Sequence, residues 1–570
     1  MGMLSHPLLT PEQEKHIVDS LVSGNLLNLN DMDDIQKHAA LNEGTLFDLA
    51  IEHTNLSTAQ AAQLIAREHN WRFMDLDRWR PNDTNHLKIP LAFAKAKRVV
   101  LFSCTENEAH VAMSDPRDTE TLHLVEKYLG RPTRSYFAAK EHIRTALRWY
   151  KIDIHETVNK LVAMHEVAVK TKAQDNSVPL LFDVLVRHAI ASGASDLHIE
   201  PQRTGTAIRI RIDGLMQTDI VLPKTIHDLL ILRVKVLARL RTDEHMVPQD
   251  GKISIFDEDD PNERTDIRVS IVPTIVGEKA VMRILSSSEQ GLNLNRLGFS
   301  RADLEIMKRQ SERSWGMILV TGPTGSGKTT TLYGLLKILN VPEDNLMTIE
   351  DPVEYEMKGL TQIQVNSEVG LTFSSGLRTI VRQDPDTILV GEIRDEETAN
   401  IGVNAAMTGH LVLSTLHTND AATAFPRLLD MNVEPFLVAS TVNIVVAQRL
   451  VRKICTHCIH SEETSLDELT NRLPIHALEL LGRQQKTLRL FKGLGCPMCK
   501  NSGYLGRIGI FEMLEVTPEI KQLILKRASA DDIAAQAKKQ GMHTMFEDGI
   551  DKVLQGMTTI EEVYRVSTTS

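Results

Sequence analysis

Between residues 315 and 450, four apolar runs (Met317–Thr321, Leu346–Glu350, Thr387–Ile393 and Leu411–Leu416) are separated by segments with helical spacing. Buried strands alternating with helices predict a mainly parallel α/β sheet. Upstream the pattern changes. Ile208-Arg209-Ile210-Arg211-Ile212 alternates strictly, which puts the isoleucines on a core face and both arginines on the other. A helical pattern over Leu181–Ala191 leads into Ser195–Glu200, and residues 181–295 read as α+β with an antiparallel sheet. Residues 80–150 mix short strands (Arg98–Phe102, His110–Met113) with amphipathic helices. Residues 1–75 are helical in pattern, with polar breaks such as Asn28–Asp31. Asp153–Asn176 is charged and carries little strand signal, which suits a linker or a connecting helix. The expected order is a helical region (1–75), an α+β domain (76–150), a linker (151–178), a second α+β domain (179–300) and an α/β domain (301–570).

At 570 residues, with 42% hydrophobic and 24% charged residues, the chain has enough material for several cores. Its net charge of −11 and 4% aromatic content argue against a nucleic-acid partner. No apolar run is long enough to cross a bilayer, and the N-terminus has no signal pattern. Met1-Gly2 does not make a myristoylation site, because His6 stands where Ser or Thr is needed. The expected place is the cytoplasm, with any work at a membrane done through a partner.

Gly322-Pro323-Thr324-Gly325-Ser326-Gly327-Lys328-Thr329 fits G-x-x-x-x-G-K-[ST] in full. A predicted strand precedes it and a predicted helix follows it. Glycines let backbone N–H groups turn around a phosphate, and the helix N-terminus adds partial positive charge. Lys328 is expected to reach the β- and γ-phosphates of ATP, and Thr329 to offer its hydroxyl to Mg²⁺. Hydrolysis also needs carboxylates. Glu350, Asp351 and Glu392 follow predicted parallel strands, at the ends where ligands collect. His410 and His417 bracket another strand; their spacing places them at opposite ends, and either is a candidate γ-phosphate sensor.

Four of five cysteines form two C-x-x-C pairs, Cys455 with Cys458 and Cys496 with Cys499. A lone pair would suit a redox dithiol; two pairs suit four thiolates around one structural Zn²⁺. Cys104 is left over and is expected as a buried apolar side chain.

Gly376–Asp395 resembles the Walker B region of the secretion and pilus motor ATPases. Thr348–Tyr355 resembles their acidic box, and Thr408–Asp420 their histidine box. Ala194–Pro201, Pro248–Lys252 and Arg268–Pro273 look like the domain that precedes their motor core, and Gly549–Val563 is also similar. The resemblance covers residues 180–570 closely and 80–150 loosely. It implies a RecA-like core with a zinc subdomain over 455–499, preceded by a PAS-like domain, in a homohexameric ring. It implies that Arg268 and Arg283 place guanidinium groups on the phosphates, with Arg209 and Arg211 behind them. Glu350 would polarise the water and Glu392 support Mg²⁺, two roles that could be exchanged. Nucleotide-driven domain closure would turn an inner-membrane platform protein. The zinc subdomain and the N-terminal region resemble the assembly branch; the long N-terminal region favours its pilus motors, with its type II secretion motors as the alternative. Some relatives bind cyclic di-GMP through a repeated Arg-Leu-Gly pattern; Leu41–Gln63 departs from it, so cyclic di-GMP is not an expected ligand. A nucleic-acid translocase on the same core would need a basic or aromatic stripe, and a GTPase an Asn-Lys-x-Asp motif. The chain has neither pattern.

Overall fold

A computed structural model describes the chain except residues 1–7, 25, 28–31, 33–34, 37–38, 40–44, 53, 55, 77–78, 80–87, 148–153, 172–174, 257–263, 286–293, 466–486 and 568–570. The expected polar break at Asn28–Asp31 and the start from Met1 to His6 lie outside the described residues. The chain divides into two compact units, residues 1–287 and 288–570.

The first unit opens with helices α1 (Pro11–Ser23), α2 (Leu46–Glu52) and α3 (Thr58–Glu68). Val18, Leu21, Phe47 and Ile65 bring them together in one apolar cluster. Strands β1 (Val99–Cys104), β2 (Ala109–Met113) and β3 (Thr133–Phe137) follow in the order β1-β2-β3, antiparallel and then parallel. Cys104 corrects an expectation: it is half-buried. Its sulfur lies 3.6 Å from Arg131 Nη1 and 3.8 Å from Lys88 Nζ, so it borders charged groups.

Helices α4 (Ile154–Thr171) and α5 (Ser177–Ala191) come next. Val158 of α4 is buried against Leu181, Phe182 and Leu185 of α5, so this charged stretch forms a packed helix. Six strands then form a wholly antiparallel sheet: β4 (Asp196–Pro201), β5 (Gly205–Ile212), β6 (Leu215–Pro223), β7 (Gln249–Phe256), β8 (Arg264–Thr274) and β9 (Gly277–Leu285). Their order is β6-β5-β4-β9-β8-β7. Alternation works here as period two requires. Ile208, Ile210, Leu197, Val269 and Met282 pack on α5 and on α6 (His227–Leu237), while Arg209 and Arg211 stay half-exposed.

The second unit is built on a seven-stranded sheet. Its strands are β10 (Gly316–Thr321), β11 (Leu346–Glu350), β12 (Leu360–Gln364), β13 (Thr387–Val390), β14 (Leu411–Leu416) and β15 (Val442–Ile454), with β18 (Tyr504–Glu515) at one edge. The order β12-β11-β13-β14-β10-β15-β18 is parallel except for β18. One face packs Ile318, Val320, Leu413 and Val446 against Leu332, Leu335 and Leu336 of α7 (Lys328–Leu339). The other packs Met317, Leu319, Val412 and Val445 against Ala399 and Val403 of α8 (Glu396–Met407). Burial on both faces explains why these strands read as continuous apolar runs. A hairpin of β16 (Ile459–Ser465) and β17 (Thr487–Gly493), then helices α9 (Met545–Leu554) and α10 (Ile560–Ser567), complete the unit.

Candidate functional site

The phosphate-loop sequence forms the turn between β10 and α7. Gly327 caps the helix with φ of 91°, a left-handed conformation that favours glycine. At Gly322 any Cβ would stand 2.5 Å from the Gln448 carbonyl oxygen, so β15 leaves no room for a side chain. Lys328 is buried and folds back over the loop, its Nζ donating to the carbonyls of Gly322 (2.8 Å) and Pro323 (3.2 Å). Burial lowers its pKa, Glu392 works against that shift and Arg394 adds to it. An ammonium held by neutral carbonyls in a desolvated place is poised to take an anion. The loop also holds an orphan: Ser326 Oγ is buried with no hydrogen-bond partner. Thr329, the next residue of the helix, is exposed, and its hydroxyl fits a cation ligand.

Glu392 follows β13 at the same sheet end. Its Oε2 lies 2.8 Å from Arg394 Nε and 3.3 Å from His417 Nε2, and its side chain is 16% exposed. Thr321 and Thr418 lock the ends of β10 and β14 together, with Thr418 N–H donating to Thr321 Oγ1 at 2.9 Å. Beyond them His417, Asp420, Thr423 and Arg427 line a cavity of 330 Å³.

Two expected residues carry bonds within the chain: Glu350, at the same sheet end beside Gly391, and His410, at the opposite end. Glu350 is 3% exposed and both its oxygens are committed. Oε2 accepts from Tyr333 Oη at 2.6 Å and Oε1 from Thr348 Oγ1 at 2.7 Å. Burial raises its pKa although the hydroxyls of Thr348 and Tyr333 pull the other way. A carboxylate tied in this way between strand and helix would have to give up a hydroxyl bond before it could hold a water. Asp351, exposed, and Glu354, half-buried, are the next acids along the same turn. His410 stands at the amino end of β14, its ring N–H donating to Ala405 O at 2.9 Å. The loop lies at the carboxyl ends, about 20 Å away at ~3.3 Å per strand residue, so within the chain His410 is separated from Lys328, Glu392 and His417.

Arg268 and Arg283 belong to the first unit, where they stand directly opposite each other on β8 and β9. The row continues across the sheet as Arg211, Asp196, Arg283, Arg268 and Lys252. Asp196 holds Arg283 Nε at 3.2 Å and Arg211 Nε at 3.4 Å. Arg209 pairs instead with Glu200, 3.2 Å away. Glu200 is held down to about 2: burial opposes the shift, and bonds from Lys279, His198 and Arg209 outweigh it.

The four cysteines converge. Their sulfurs lie within 4.8 Å of one another, with Cys455–Cys496 and Cys458–Cys499 at 3.8 Å and Cys496–Cys499 at 3.7 Å. A tetrahedron with metal–sulfur bonds of about 2.3 Å has edges of about 3.8 Å, whereas a disulfide needs about 2.05 Å. Backbone N–H groups of Gly495 and Gly503 donate to the sulfurs of Cys458 and Cys499 at 3.3 and 3.2 Å. Those donors suit thiolates, and the set fits a closed zinc site.

Residues 171–565 match the type II/IV secretion system protein family, and residues 69–156 match the MshEN domain. The type IV pilus assembly ATPase PilB of Thermus thermophilus is 38% identical over 531 residues, 91% of this chain and 59% of that protein. This chain therefore spans about three fifths of that relative's length. Type II secretion system protein E of Pseudomonas aeruginosa is 38% identical over 497 residues, 84% of this chain and 96% of its own. The ATPase DotB of Yersinia pseudotuberculosis, a solved structure, has a TM-score of 0.52 at 21% identity, covering 69% of this chain and 94% of DotB; it bears on the fold alone.

Proposed function

The chain belongs to the type II/IV secretion system protein family, and from that premise we propose that it is the ATP-hydrolysing motor of type IV pilus assembly. The observation that carries the pilus assignment is the reach of the similarity. The pilus-assembly relative matches 91% of the chain, against 84% for the type II secretion relative. Their equal identity of 38% makes a type II secretion motor the second reading.

The site supports ATP hydrolysis by phosphate capture and charge stabilisation. Residues 322–329 cradle the phosphates, and Lys328 exchanges its loop carbonyls for phosphate oxygens. Thr329 and Glu392 would hold Mg²⁺, which neutralises charge on the phosphates when bound. Glu350, tied between strand and helix by Tyr333 and Thr348, is read as holding this sheet end in place. Arg394 and His417 hold the Glu392 carboxylate in place. Cys455, Cys458, Cys496 and Cys499 bind zinc in a structural site. The motor works as a homohexamer at the cytoplasmic side of the inner membrane, coupled to a platform protein. No helix among the described residues is long and apolar enough to cross a membrane.

Deleting the gene and scoring surface pili and exported enzymes side by side tests the assignment. Lost pili with normal export is the expected result; normal pili with lost export would move the chain to type II secretion.

A further inference from the structure

We propose that Gln448 of β15 is the positioning residue of the phosphate loop, a two-ended clamp that sets the direction of its backbone N–H groups. The inference rests on the reading that this loop binds nucleotide phosphates.

Gln448 interrupts an otherwise apolar stretch, Ile444 to Ala447 before it, and is 2% exposed. A buried amide is costly unless hydrogen-bonded. Both ends of this one are used on the loop and its helix. Nε2 donates to Ser326 O at 2.8 Å, and Oε1 accepts from Thr331 Oγ1 at 2.8 Å. The backbone of the same residue fixes the loop's first glycine: the Gly322 Cβ position lies 2.5 Å from Gln448 O. A Cβ on Gly327 would sit 3.1 Å from Gln448 Nε2. One residue thus touches the first glycine of the motif, the last glycine, the serine between them and the first turn of the helix.

The consequence follows from peptide geometry. The Ser326–Gly327 peptide is trans, so the Gly327 N–H points away from the Ser326 carbonyl. Because Gln448 draws that carbonyl to the back of the loop, the N–H is turned to the front. Without the clamp the Ser326 carbonyl is free to swing forward, where it would repel a phosphate. Gln448 touches no phosphate itself; it acts through the peptide.

Two variants test this: Gln448→Met, which keeps length and removes both bonds, and Gln448→Glu, which keeps the acceptor for Thr331 and removes the donor to Ser326. Full-length protein is titrated with fluorescent ADP well below its melting temperature, and KM and kcat for ATP are measured beside Tm without nucleotide. The clamp predicts an ADP Kd raised about tenfold, the scale of one lost hydrogen bond, in both variants, with KM rising more than kcat falls. A variant that melts earlier yet binds ADP within about twofold of wild type would assign Gln448 to packing and overturn the proposal. If Gln448→Met does not fold, Gln448→Glu decides; loss of fold in both also overturns it. A wild-type chain that binds no ADP would sink the nucleotide reading itself, a separate outcome.

Discussion

Glu350→Gln separates a structural acid from a catalytic one. In the fold Glu350 receives two short hydroxyl bonds, from Tyr333 at 2.6 Å and Thr348 at 2.7 Å, in a place 3% exposed. Glutamine keeps the shape. Its oxygen still accepts one hydroxyl, and the other hydroxyl can rotate to accept from the new NH₂. The loss is then the poorer geometry of the two bonds around an amide, about 1–2 kcal/mol in total. For a unit of this size that is a fall in Tm of about 2–8 °C.

Its pH dependence has a defined sign. The folded pKa of Glu350 is raised above 4.5 by burial. The stability it contributes is therefore fully present below about 4.5 and declines as pH rises through the folded value. The Tm gap between wild type and Glu350→Gln should narrow as pH rises above about 4.5 and through the folded value. ATP turnover, measured by phosphate release at saturating ATP, should stay within about threefold of wild type, because no proton passes through Glu350. A drop of about a hundredfold or more in a variant that is folded and binds ATP would have the size of a lost general base, and would return Glu350 to the catalytic role.

Glu392→Gln should instead retain ATP binding and lose turnover by about a hundredfold, read by nucleotide titration beside phosphate release; full turnover would remove Glu392 from the site. Glu562 of α10 is held down to about 2, burial being outweighed by bonds from Arg565 and Arg452. Glu562→Gln should therefore cost about 3 kcal/mol at pH 7, with the Tm difference shrinking as pH falls from about 4.5 towards 2. Metal analysis of protein purified without chelators should find about one zinc per chain, and its removal should expose 455–499 to hydrogen exchange before the seven-stranded sheet; far less zinc would exclude the site.

Much of the second unit was legible because its chemistry is local. Met317–Thr321, the glycine-rich turn and the following helix are contiguous, and each C-x-x-C pair sits in one turn. The strict alternation of Ile208–Ile212 likewise reported one face of a sheet. What escaped depends on distant partners. Glu350 reads as a strand-end acid; Tyr333, on the helix that packs beside it, and Thr348 hold it inward. The spacing of His410 and His417 places them at opposite ends of β14, but the register with β10 decides which end faces the loop. Gln448 lies in a buried strand whose pattern gives no sign that its amide spans Ser326 and Thr331. Cys104 looks apolar until Arg131, 27 residues later, reaches its sulfur. Arg394, which reaches Glu392 at 2.8 Å, lies in the Walker B-like segment but carries no signal of its own in the sequence.

The central claim joins one loop to one machine, so both should be tested together. A deletion strain is complemented with wild type or with Lys328→Ala at equal protein levels, and surface pili are counted while purified ATPase activity is measured. Lys328 is held by loop carbonyls and lies outside the apolar clusters, so the variant should fold with an unchanged Tm. Wild type should restore pili, and Lys328→Ala should restore neither pili nor ATP hydrolysis. Pili assembled at wild-type number by a hydrolysis-dead Lys328→Ala chain would contradict the central claim.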